Sequence, residues 1–124
     1  ENAQVYVPAW TASVNPAIGN GTITGHYLQF GRLVWFRIAL TMGTTTTYGT
    51  GSWVFTLPVA ASGGFTGNVY ALDAGTANYI SGLITASTTT ISIPVSGGSN
   101  LYSSANPFTW ATTDQLIITG IYLI

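Results

Sequence analysis

Cysteine and lysine are absent from this 124-residue chain, and charge of either sign is scarce: two arginines, three acids and one histidine leave a formal net charge of −1. Without cysteine there is no disulfide framework and no thiolate metal site. A typical globular domain is about 25% charged; this chain is 4% charged. With no basic patch, the phosphate neutralisation that supplies most nucleic-acid affinity is missing, which argues against nucleic acid as a partner. The longest apolar run, 33–40, is interrupted by Arg37. It is far shorter than the ~20 residues of a membrane-spanning helix, and no signal-peptide pattern is visible, so membrane insertion is not expected.

What the chain does contain is apolar and β-forming. Hydrophobic residues make up 47% of it, and the mean hydropathy is +0.40. Its solvated surface must come from Thr, Ser, Asn and Gly, and part of the apolar surface is expected to be covered by another chain. The length suits one domain, 1–124, with a real core. Runs of β-branched and aromatic residues alternate with Gly, Pro, Asn and Ser clusters, the pattern of short strands and turns. Eight strands are predicted, at 5–12, 22–30, 33–42, 52–57, 68–73, 78–86, 89–95 and 115–124. The Thr44–Thr47 run falls in a loop.

Eight antiparallel strands predict an all-β jelly-roll sandwich, with an immunoglobulin-like sandwich as the rival. Jelly-roll connectivity groups the first, eighth, third and sixth strands in one sheet and the second, seventh, fourth and fifth in the other. Alternating residues point to opposite faces. In the fourth strand Trp53, Phe55 and Leu57 oppose Ser52 and Thr56, a core face and a wet face. The third strand is apolar on both: Val34, Phe36, Ile38 and Leu40 against Leu33, Trp35 and Ala39. The eighth sets Leu116, Ile118, Tyr122 and Ile124 against Ile117, Ile121 and Leu123. A sheet apolar on both faces needs a second cover, and a subunit interface supplies one. Leu33, Trp35, Arg37, Ile117, Ile121 and Leu123 are the predicted interface of a homotrimer. Arg37 is expected to make an interface ion pair, with Asp114 as a candidate partner, or to stack on an aromatic ring; an anion or ligand site is the rival reading.

Several segments resemble a known family. Trp10, Asn15-Pro16 with Gly19-Asn20-Gly21 and Gly25-x-Tyr27, Leu40-Thr41-x-Gly43, Trp53-x-Phe55-x-Leu57-Pro58, and Trp110 with Asp114 and Gly120-x-Tyr122 resemble C-terminal head domains of phage minor tail proteins and tail fibres, notably those of actinobacterial phages. The last strand, Ile118-Thr119-Gly120-Ile121-Tyr122-Leu123, looks like the closing strand of trimeric tumour-necrosis-factor-like and C1q-like jelly rolls. The resemblance implies a trimeric head at the end of a longer fibre or tail protein. It would sit on the virion and contact the host surface, often a cell-wall glycan.

Catalysis finds little to work with. His26 is the only histidine, so one chain cannot build a two-histidine metal site; it is expected on a wet face with Thr22 and Thr24. Glycosidases usually need two carboxylates ~5–10 Å apart, and the only internal acids, Asp73 and Asp114, sit at strand ends where Asp stabilises turns. No Gly-x-Ser-x-Gly elbow is present, and Gly49-Thr50-Gly51, Gly63-Gly64 and Gly97-Gly98 lack phosphate-loop spacing. No enzyme and no cofactor is expected. A polysaccharide hydrolase or lyase would need a site formed between subunits. If every strand reverses, the connections 13–21, 43–51, 74–77 and 96–114 lie at one end and both termini at the other. The loop-end candidates for stacking on sugar rings and pairing with hydroxyls are Tyr48, Asn78, Tyr79, Asn100 and Tyr102. A purely structural module that trimerises and caps a fibre is the alternative.

Overall fold

The computed structural model describes residues 3–76, 78–95 and 100–124, with side chains at all of these except 78–81 and 83. Among them there is no helix. Nine strands form one antiparallel sheet: β1 (Gln4–Tyr6), β2 (Trp10–Thr11), β3 (Thr22–Phe30), β4 (Leu33–Thr41), β5 (Val54–Thr56), β6 (Thr66–Asp73), β7 (Asn78–Ala86), β8 (Thr90–Ser92) and β9 (Gln115–Leu123). They are ordered β1-β3-β4-β9-β6-β7-β8-β5-β2. The sheet curls into a half-barrel, in keeping with the expected all-β, jelly-roll-like class.

The neighbours differ from the two-sheet grouping expected from jelly-roll connectivity. β4 lies beside β9, and β5 beside β8, as expected. β3, however, pairs with β4 along all nine residues, and β6 sits between β9 and β7. Short connections decide this. Gly31 and Arg32 alone join β3 to β4, and Gly31 takes the left-handed position of that turn at φ 59°, where a side chain would be strained. Only 74–77 separate β6 from β7. Two hairpins with such tight turns pair locally before any crossover can compete.

The predicted first strand is two strands. β1 pairs with β3 and β2 with β5, so one short segment lies along both outer edges of the sheet. Pro8 stands between them and has no N–H for a ladder, which makes it a natural place to leave one edge for the other. Thr56 on β5 secures the crossing. Its N–H donates to the Ala9 carbonyl at 3.2 Å, its hydroxyl accepts from the Ala9 amide at 2.8 Å, and its carbonyl accepts from the Tyr6 hydroxyl at 3.2 Å.

Inside the curl, β4 contributes Val34, Phe36, Ile38 and Leu40, and β9 contributes Leu116, Ile118 and Tyr122; all are buried. Val69, Ala71, Ile84, Phe55 and Ile91 meet them from the other strands. The rings fall into two groups. Phe36, Phe65 and Tyr122 pack together near the termini, with Phe65 stacked on Tyr122 at 4.7 Å. Phe55, Trp10, Trp53 and Trp110 run as a column toward the other end. Burial of one such ring contributes roughly 1.5–3 kcal/mol.

Gly25 sits under the Tyr6 ring. A Cβ there would lie 2.5 Å from the ring and 2.8 Å from the Tyr6 carbonyl, so backbone as well as side chain would have to move. Gly25→Ala should therefore loosen β1 and cost about 1–3 kcal/mol, read as a lower urea midpoint with an unchanged β-type circular dichroism spectrum.

Candidate functional site

Residues directly opposite one another on adjacent strands project to the same face. Burial of Val34, Phe36, Ile38 and Leu40 therefore sends Leu33, Trp35, Arg37 and Ala39 outward. Across the ladder to β9, Leu33 faces Leu123, Trp35 faces Ile121, Arg37 faces Thr119 and Ala39 faces Ile117. The structure thus places Leu33, Trp35, Arg37, Ile117, Ile121 and Leu123 on one outer face. β3 widens that face, setting Phe30 beside Leu33, Leu28 beside Trp35 and His26 beside Arg37. On the far side, β6 adds Asn68 beside Thr119 and Tyr70 beside Ile117. Phe30, Ile121 and Leu123 are each more than half exposed, at 56%, 57% and 56%. Between Trp35 and the Thr66 and Asn68 side chains the face dips into a depression of about 280 Å³ that Thr119 and Ile121 also line.

One expectation about this face is corrected, and Arg37 is without a partner among the described residues of its own chain. His26 does not lie in a separate sheet; it is half-buried and stands next to Arg37, because β3 and β4 form a hairpin. Arg37 has no ion pair with Asp114, nor with any other acid among the described residues, and no aromatic stacking partner there. Asp114 is buried at the end of the domain and its carboxylate is taken: the Ala74 and Ala111 amides donate to its two oxygens at 2.9 and 2.7 Å.

The loop end holds the second group of candidates. Thr22, Thr41, Gln115, Leu72 and Tyr79 form one row at the same end of five strands, so the described parts of the connections after β2, β4, β6 and β8 gather there, as the reversal of strands predicts. Backbone bonds lace them together: Val14 with Thr50, Ala17 with Thr47, and Thr113 with Met42. Thr113 is held at φ 72° by the bond its amide donates to the Met42 carbonyl at 2.9 Å. Trp53 lies beneath, its indole donating to the Tyr48 carbonyl at 3.0 Å and its amide to the Tyr102 carbonyl at 2.8 Å.

This arrangement overturns one candidate. Tyr102 is only 2% exposed, near Trp110, so its ring supports the loops from below and offers no stacking surface. Tyr48 is half-buried against the core, and its phenol is raised above the ordinary value by burial first and by the Asp114 carboxylate second. Asn100 is exposed, with its carbonyl accepting from the Val95 amide at 2.8 Å. Asn78 and Tyr79 begin β7, and their side chains lie outside the described residues. The sequence reading missed Phe108, whose ring meets Trp110 at 4.4 Å, and also Phe30 and Leu28 on the outer face. Period-two alternation through β3 carried that last signal.

Asp73 ends β6 and Asp114 precedes β9, and among the described residues no cluster of three or more His, Cys, Asp or Glu could hold a metal. Comparison with family models, curated proteins and solved structures finds no match to this chain.

Asp114→Asn turns one acceptor oxygen into an NH₂ that faces an amide donor. It should cost about 1–3 kcal/mol of stability, measured by urea unfolding. Alkali provides a second test. Burial raises the phenols of Tyr6 and Tyr122, and pushes Tyr102 up to about 12. The folded chain therefore holds these protons more tightly than the unfolded one, where Tyr ionises near ~10. The stabilisation is complete below pH ~10 and lost as pH rises through the folded value. Melting temperature should be level up to pH ~10 and fall as the pH rises from there toward the folded value, and Tyr102→Phe should soften the fall.

Proposed function

We propose that this chain is the head domain of a phage tail fibre or minor tail protein, a homotrimer on the virion that engages a host-surface saccharide without cleaving it. The observation that carries the reading is the outer face of β3, β4 and β9. Phe30, Leu33, Ile121 and Leu123 stand out from it together with the half-buried Trp35. With so little charge elsewhere, an apolar surface of this kind is stable when another copy covers it. At roughly 25 cal/mol per Å², a few hundred Å² of apolar contact per chain supports an obligate assembly. Gln4 and Leu123 lie at the end away from the gathered loops, which favours a shaft on one side and receptor contact on the other. Burial of Tyr102 favours the second reading, a trimeric cap without ligand.

Size exclusion with light scattering should give three times the 13.0 kDa chain mass, and Trp35→Asp, which puts a charge at a dry contact, should give monomer or aggregate. A well-behaved monomer of the parent chain at micromolar concentration removes the trimer. Retention on purified host cell walls separates the receptor-binding head from the cap, and Asp73→Asn should leave retention unchanged with no release of wall sugar.

A further inference from the structure

We infer that the row His26–Arg37–Thr119–Asn68 across the outer face is a binding site for an oxyanion, a carboxylate or phosphate group. The register puts these four residues side by side on β3, β4, β9 and β6. Adjacent strands lie ~4.8 Å apart, so Arg37 has His26 on one side and Thr119 on the other within reach of one small anion.

Three observations point to a ligand. Arg37 is half-buried yet has no acid partner among the described residues, and a partly desolvated guanidinium without an acceptor is costly. The side chains of His26, Thr119 and Asn68 have no hydrogen-bonding partner within the described residues either, so the whole row keeps its donors unspent. Neither acid among the described residues is free to go there. Asp114 is buried and committed to two amides, and Asp73 lies at the loop end. No acid among the described residues supplies the counter-charge. An oxyanion over Arg37 would accept two forked N–H bonds from the guanidinium, with the Thr119 hydroxyl and Asn68 amide extending the site toward the depression beside Trp35.

The same chemistry is offered by a free anion and by an acidic polysaccharide, and two probes tell them apart. Calorimetric titration with inorganic phosphate and with polygalacturonate, beside neutral dextran, should show saturable binding of phosphate and none of dextran. Phosphate alone assigns the row to a small anion that the trimer can enclose; binding of polygalacturonate as well assigns it to an acidic polymer on an open face and removes the trimer contact from that face. Arg37→Gln should weaken binding by about tenfold or more, and Arg37→Lys by less, since charge remains but the fork is lost. Thr119→Val, nearly isosteric, should weaken it several-fold with an unchanged melting temperature. No binding of either oxyanion by the folded parent, or equal affinity in Arg37→Gln, overturns the site. Light scattering on the same samples keeps this result separate from the trimer: a monomer that binds phosphate through Arg37 retains the site and loses the assembly.

Discussion

Thr56 holds the first strand with three of its polar groups, and the closure of the sheet depends on that clasp. A sheet of nine strands has two edges, each a row of unpaired amides and carbonyls ready to template another chain. Here both edge strands, β1 and β2, belong to a single short segment, with Tyr6 on one side of Pro8 and Trp10 on the other. The curl brings the two edges near enough to be spanned, and the spanning segment holds the curl. Trp10 then sits between Phe55 and Trp53 in the aromatic column beneath the loops, so the clasp also fixes one member of that column.

That economy of edges gives the two ends of the domain different characters. At one end, loops are tied by backbone bonds and by the Asp114 carboxylate to a floor of tryptophans. At the other, Arg32 closes the β3–β4 hairpin against the last residue, its Nε donating to the Ile124 carbonyl at 2.7 Å. Between them runs an outer face with apolar rows above and below one polar row. In the proposed assembly, a partner copy that covers the apolar rows would also meet Arg37, which would couple affinity for the partner to the need for a counter-ion.

Much of this was legible in the residues. Period-two alternation sorted the residues of β4 and β9 into the two faces the structure shows, although both faces are apolar and alternation alone does not say which of them is buried. Turn chemistry placed β3, β7 and β9 within a residue or so. Beyond the β4–β9 and β5–β8 neighbours, which strand lies beside which could not be read. A jelly roll and a chain of hairpins share the same local alternation and differ only in long-range pairing. His26 was misplaced for that reason. Tyr102 was misread for another: a long connection with few apolar residues looks exposed, and nothing local says that its one tyrosine is needed to fill space beside Trp110.

The scarcity of basic residues has a consequence for how readily such a domain is cut by proteases. A protease that cuts after lysine or arginine finds two bonds, following Arg32 and Arg37. The first lies at the hairpin, where the Arg32 carbonyl accepts from the Ile124 amide at 2.8 Å. The second lies in the middle of a strand paired on both sides. Cleavage needs an extended, unpaired segment, so for this class of protease the folded chain presents no loop to nick; the hairpin must open first. A surface made polar by hydroxyls and amides instead of lysines thus removes the commonest points of digestive attack.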